Sequence, residues 1–181
     1  QELENRMGRD DKLMRSIRSM ARTATPRRLV FSEGDSLNTI KAAIHLLSDG
    51  IATPILIGSR SKIHALLDEH KLSLDDKYIL DFRSDEEEPR RQRYATLLYS
   101  KMSRKGINHA EALKYMMQRD WFTLMMVASG DADTSLLGFG HSYIQSLEPV
   151  RQVFGLQPSN RLATMQIVTT KRGPMFFADT A

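Results

Sequence analysis

RRLVFSEGDSLNTIKAAIHLLSDGIATPILIG, running from Arg27 to Gly58, decides the fold. RLVFS is a short apolar run rich in β-formers, and it leads through EGDS into a segment with Ile40, Ala43, Ile44 and Leu47 on one helical side. Asp35 or Ser36 can cap the start of that helix and Gly50 can end it. TPILIG is again strand-like. The pattern then repeats, with SRSKIHALLDEH turning Ile63, Leu66 and Leu67 inward and KYILDF supplying a third strand. Strand and helix alternating at short intervals favour parallel strands joined by helical crossovers, so the expected fold class is α/β.

Working outward, residues 1–22 carry Leu13, Ile17 and Met20 on one face, which predicts an amphipathic connecting helix. On the other side, SDEEEPRRQR opens a long helix with acids near its positive end and with Tyr94, Leu97 and Leu98 on its buried side. Gly106, just after Arg104 and Lys105, stops it. Asn108 with Glu111 resembles a capping box, and a further helix over Asp120 to Ser129 carries Trp121, Phe122, Met125 and Met126. Gly130 ends that helix, DAD turns the corner, TSLLG is the next strand, and GFGHS leads into a helix containing SYIQSLEPVRQVF. ATMQIVTTK and MFFADT are two more strands around the turn KRGP.

The chain of 181 residues is 41% hydrophobic, enough for one sizeable core or two small lobes. No apolar run approaches the roughly 20 residues of a bilayer span, and the polar N-terminus has no signal-peptide core, so a cytoplasmic chain with no membrane partner is expected. Cysteine is absent, which excludes disulfides and thiolate chemistry. The net charge of +4 comes from basic residues interleaved with acids. Even the basic N-terminal segment reads as a solvated helix face, so nucleic acid is not an expected partner.

Few motifs carry chemistry. Asp131 and Asp133 form a D-x-D pair, but TSLLGF follows where a calcium loop needs more oxygen ligands, so the pair reads as a corner between two elements. The five histidines contain no H-E-x-x-H, and neither G-x-G-x-x-G nor a P-loop occurs, so no metal site and no catalytic residue is assigned. The best ligand-binding element is LGFGHS, Leu137 to Ser142, where a strand ends in glycines and a helix begins. Free N–H groups at such a turn attract phosphate or carboxylate.

Several ordered blocks together resemble the phosphate acetyl/butyryltransferase family. They are RRLVFSEGDS, GIATPILIG, LDFRS, YATLLYSKMSRKGI, MMVASGDADTSLLG and TKRGPMFFADT. The leading MGRDDKLMRSIRSMA narrows the resemblance to the copy fused to the C-terminus of large NADP-dependent malic enzymes. The resemblance implies a two-lobed fold of the isocitrate/isopropylmalate dehydrogenase-like type with mostly parallel sheets. In it, residues 1–22 are a connecting helix, 23–132 the N-terminal lobe and 133–181 the beginning of a second, dimerising lobe. It further implies a homodimer or higher homo-oligomer, malic-enzyme catalytic domains N-terminal in the same polypeptide using NADP and a divalent metal, and acetyl-CoA or CoA as an effector of a non-catalytic domain. No cofactor is expected in this chain itself.

The departures from the family pattern fall at its coenzyme A site. Met102 stands where active transferases carry an arginine on the long helix, and Glu148 where they carry another after the glycine loop. Arg104, Lys105 and Arg151 lie nearby in sequence as substitutes, and Gly138, Gly140, His141 and Ser142 match the family's cleft loop. GDADG becomes GDADT at Thr134, which strains the backbone if φ is positive there. The family's later serine, arginine and aspartate block has no counterpart before residue 181, so the resemblance implies no acyl transfer by this polypeptide.

Overall fold

The computed structural model describes residues 9–138, 143–155, 163–170 and 173–178. They form two compact units. The larger unit, from Arg27 to Gly155, is an α/β domain. Its strands are β1 (Arg27–Phe31), β2 (Ala52–Ile57), β3 (Ile79–Leu80) and β4 (Thr134–Leu136), laid side by side in the order β3-β2-β1-β4. Every pairing is parallel: Leu29 lies opposite Pro54 and Thr134, and Leu56 opposite Ile79.

Alternation along the strands sends side chains to two faces, and each face has its own core. Phe31 and Leu56 meet Ile40 and Ala43 of α2 (Leu37–Ser48) together with Ile63 and Leu67 of α3 (Arg60–Glu69). Val30 and Ile57 meet the other side, built from α4 (Glu88–Met102), α5 (His109–Met116), α6 (Arg119–Ala128) and α7 (Tyr143–Phe154). Phe122, fully buried, is the centre of that second core, with its ring 5.5 Å from Phe82 and 5.3 Å from Tyr94.

The α1 helix (Arg9–Thr23) and the antiparallel hairpin β5 (Met165–Thr170) and β6 (Gly173–Ala178) belong to the smaller unit. Ile17 and Met20, expected on an apolar helix face, are exposed, as are Met165, Ile167 and Phe176 of the hairpin. Thr134–Leu136 is a strand of the larger unit's sheet. Among the described residues, no helix is long and apolar enough to cross a membrane.

Local expectations meet local physics. Asn108 and Glu111 form both halves of a capping box, and Gly50, Gly106 and Gly130 take the left-handed conformation just beyond helix ends. The third strand is much shorter than KYILDF suggests. The Asp75 carboxylate accepts a hydrogen bond from the Lys77 backbone N–H and winds Asp76–Tyr78 into a 3-10 turn, leaving two residues to pair. The strain expected at Thr134 does not arise, since Lys71 is the one non-glycine with positive φ among the described residues.

Candidate functional site

The strand order places a topological switch point between β1 and β4. From β1 the chain steps outward to β2 and β3, then returns across the sheet to lay β4 on the other side of β1. In open parallel sheets such a point leaves a crevice beyond the carboxyl ends of the strands, because the loops leaving them diverge. The strands stay joined to the edge of that opening, where the Ser32 N–H donates to the Leu136 carbonyl at 3.0 Å.

A crevice of about 630 Å³ lies there. The β1–α2 loop contributes Glu33, Asp35 and Ser36, the start of α6 contributes Gln118, Arg119, Asp120 and Trp121, and α7 contributes Gln145 and Pro149. Gly34 keeps its loop against the sheet. Its N–H donates to the Ile57 carbonyl at 2.9 Å, and a Cβ at this position would meet the backbone of Leu56 and Ile57 at 2.7 Å. The helix starts at Ser36 and Gln118, two residues that line the opening, carry no side-chain cap.

One ion pair spans the crevice. Arg119 Nη1 and Nη2 donate to Asp35 Oδ1 and Oδ2 at 2.5 and 2.9 Å, linking residues 84 apart in sequence. This hydrogen-bonded contact holds the Asp35 carboxyl below its ordinary range, against the opposing effect of burial, and raises Arg119. Sequence reasoning passed over the pair. EGDS after a strand and an arginine at a helix start were both visible, but nothing local joins them.

The residues singled out from sequence separate into groups. Gly138, with φ of 90°, borders α7, and a Cβ there would lie 3.0 Å from Ser146 Oγ. Gly140, His141 and Ser142 lie outside the described residues. Arg104 and Lys105 sit exposed in a 3-10 turn just past α4, and Arg151 is exposed near the far end of α7. Lys101 Nζ reaches the Val153 carbonyl at 3.4 Å, so the end of α4 lies against the end of α7. From Ser146 to Val153 that helix rises about 10 Å, which separates this cationic group from Gly138. None of the three cations lines the crevice.

The two departures also find places. Met102 is 4% exposed and belongs to the core with Ala112, Met116 and Val153. Glu148 is exposed, and its Oε1 accepts from Gln152 Nε2 at 2.6 Å.

The aspartate pair is positional. Asp133 accepts from the Arg28 guanidinium and backbone N–H, and those hydrogen bonds hold its carboxyl near about 2. Asp131 accepts from Arg93 and from the Tyr94 hydroxyl. The two carboxylates thus fix the corner to β1 and to α4 respectively. Burial, reinforced by the Asp131 contact, pushes Tyr94 up to about 12. Unfolded tyrosine ionises near about 10, so between these values the unfolded chain binds fewer protons and stability falls as pH rises. A tyrosinate absorbance titration is expected to show one of the five tyrosines ionising last, near pH 12, and Tyr94→Phe is expected to remove that phase.

A second groove, of about 800 Å³, runs between the start of α4 and the β3 edge of the sheet. Its cations are already matched, Arg60 with Asp76 and Glu86, Arg90 with Glu87, and Arg93 with Asp131. The crevice at the switch point has its cation paired as well, and it is preferred for its place beyond the carboxyl ends of the parallel strands.

Residues 12–181 match a family model described as phosphate acetyl/butaryl transferase. The chain is 32% identical over 171 residues to the NADP-dependent malic enzyme of Escherichia coli, covering 92% of this chain and 22% of that protein. It is 28% identical over 144 residues to a phosphate acetyltransferase from Synechocystis, covering 80% of this chain and 20% of that protein. Among solved structures, a phosphotransacetylase from Streptococcus pyogenes superposes with a TM-score of 0.72 at 20% identity, covering 87% of this chain and 46% of the other. At that identity the likeness is one of fold, and the chain spans only about a fifth of the length of the malic enzymes it matches.

Proposed function

The chain belongs to the phosphate acetyl/butaryl transferase family, and from that membership we propose that it is the phosphotransacetylase-like part of a malic-enzyme polypeptide, binding acetyl-CoA as a regulatory and oligomerising module without transferring the acyl group. The observation that supports this reading is an open crevice whose cation is engaged. The switch-point opening is formed, but Arg119 is held by Asp35, Glu33 and Asp120 add negative charge, and Met102 is folded into the core. Acyl transfer to a thiol with phosphate as the leaving group needs cations aimed at the departing phosphate and at the carbonyl oxygen, and the one guanidinium among the described lining residues is already neutralised.

The wider architecture in this reading is the two-lobed isocitrate/isopropylmalate dehydrogenase-like fold, associating as a homodimer or higher homo-oligomer. The exposed apolar side chains Met165, Ile167 and Phe176 support self-association. NADP and a divalent metal belong to the N-terminal catalytic part. This chain has no dinucleotide fingerprint, and among its described residues no three histidines or carboxylates are grouped to hold a metal. No step of dehydrogenation is assigned to its side chains. A cytoplasmic location is in keeping with the cysteine-free composition.

Regulation requires that acetyl-CoA bind two states of the polypeptide unequally. The test is a calorimetric titration of acetyl-CoA into the full-length polypeptide, with CoA as comparison, alongside an assay for acetyl-CoA formation from acetyl phosphate. Saturable micromolar binding, a change in malate oxidation and no acyl transfer are expected. Turnover of acetyl phosphate establishes a transferase instead, and no binding by a folded oligomer leaves a structural module.

A further inference from the structure

The crevice contains its own anion. Asp35 lies across the opening from α6 with only 16% of its side chain exposed, while Arg119 keeps 30% open. Both oxygens of the carboxylate are spent on the terminal nitrogens of the guanidinium. The arginine stands at the first position of α6, and α2 begins just after Asp35, each helix start lacking a side-chain cap. A guanidinium beside two uncapped helix starts is the donor arrangement that recognises a phosphate group, and here an aspartate of the same chain occupies it.

We propose that Asp35 is an internal stand-in for a ligand phosphate, so that a phosphate-bearing ligand enters the crevice by displacing Asp35 from Arg119. This rests on the reading of the crevice as the ligand site and adds how entry is controlled. Binding exchanges one ion pair for another. The net gain is small while Asp35 keeps its charge, and Glu33 and Asp120, which also act on Arg119 through space, tighten the competition. A carboxylate set free must re-solvate or find another donor, so ligand entry is coupled to movement of the β1–α2 loop that carries it. The β1–α2 loop is then the element through which occupancy of the crevice is felt elsewhere.

The probe is inorganic phosphate, titrated into the full-length polypeptide and its Asp35→Asn and Arg119→Gln variants. Removing the competing charge is expected to tighten phosphate binding by about tenfold or more in Asp35→Asn, and Arg119→Gln is expected to abolish it. Equal affinity in wild type and Asp35→Asn overturns the proposal, and so does wild-type affinity in Arg119→Gln. Should either variant fail to fold, the unmodified protein decides. Its Asp35 carboxyl carbon resonance shifts with phosphate saturation if the stand-in is displaced, and an unmoved resonance at saturation overturns the proposal. The effector reading is judged separately. Acetyl-CoA that binds wild type and Asp35→Asn equally keeps the effector and removes the stand-in. Phosphate that binds Asp35→Asn tightly where acetyl-CoA binds nothing does the reverse.

Discussion

Phe122→Ala is expected to destabilise the larger unit by about 3–5 kcal/mol, the largest loss from any single truncation considered for this chain. Phe122 is fully buried on α6 and tilts against Phe82, in the turn after β3, and against Tyr94 of α4. Removing the ring separates three segments that have no other shared aromatic contact among the described residues. The cavity it leaves adds to the lost transfer energy, because packed neighbours relax only partly. Phe122→Leu keeps most of the volume and is expected to cost under about 1.5 kcal/mol. Urea denaturation of both variants measures the difference. A Phe122→Ala loss no larger than that of Phe122→Leu would mean that α4 and α6 close over the gap. Since domains are stable by only about 5–15 kcal/mol, the expected loss is a large part of the total.

Met102→Arg is expected to cost about 3–5 kcal/mol and to create no transferase activity. Family resemblance places an arginine of active transferases at this position, so the substitution reads as a restoration. The structure makes it an intrusion. Met102 is the last residue of α4, 4% exposed, with Ala112, Met116 and Val153 in the same cluster. A guanidinium there loses its hydration among the apolar side chains of that cluster. Denaturant unfolding reads the cost, and an assay of acetyl-CoA formation reads the activity. A variant as stable as wild type that also gains affinity for CoA would show that the end of α4 opens toward a ligand, and would reverse this reading of the position.

Phe122 is buried as the aromatic side of its helix leads one to expect, whereas Met102 is a place where sequence and structure part. The strand–helix alternation, the helix stops at Gly50, Gly106 and Gly130, and the Asn108–Glu111 box are governed by neighbours within four residues, and they fold as their local chemistry dictates. Arg91 shows the opposite case. It looks like one more charge in a surface run, yet it is 5% exposed, donating to the carbonyls of Phe82 and Ser84 at 2.5 and 2.8 Å and pairing with Glu88. A basic residue inside an acidic and basic run gives no sign of which carbonyls it will find.

By itself, then, the amino-acid sequence determined the α/β class, the order of the elements, the aromatic side of α6 and family membership, all of which follow from periodicity, capping and ordered blocks along the chain. Tertiary structure alone decided that Asp35 meets Arg119 across the switch-point crevice, that Asp131 and Asp133 are tied to Arg93, Tyr94 and Arg28, and that Met102 is core. Propensity and capping act over a few residues, whereas these contacts join segments that only the crossover of the chain from β3 back to β4 brings together.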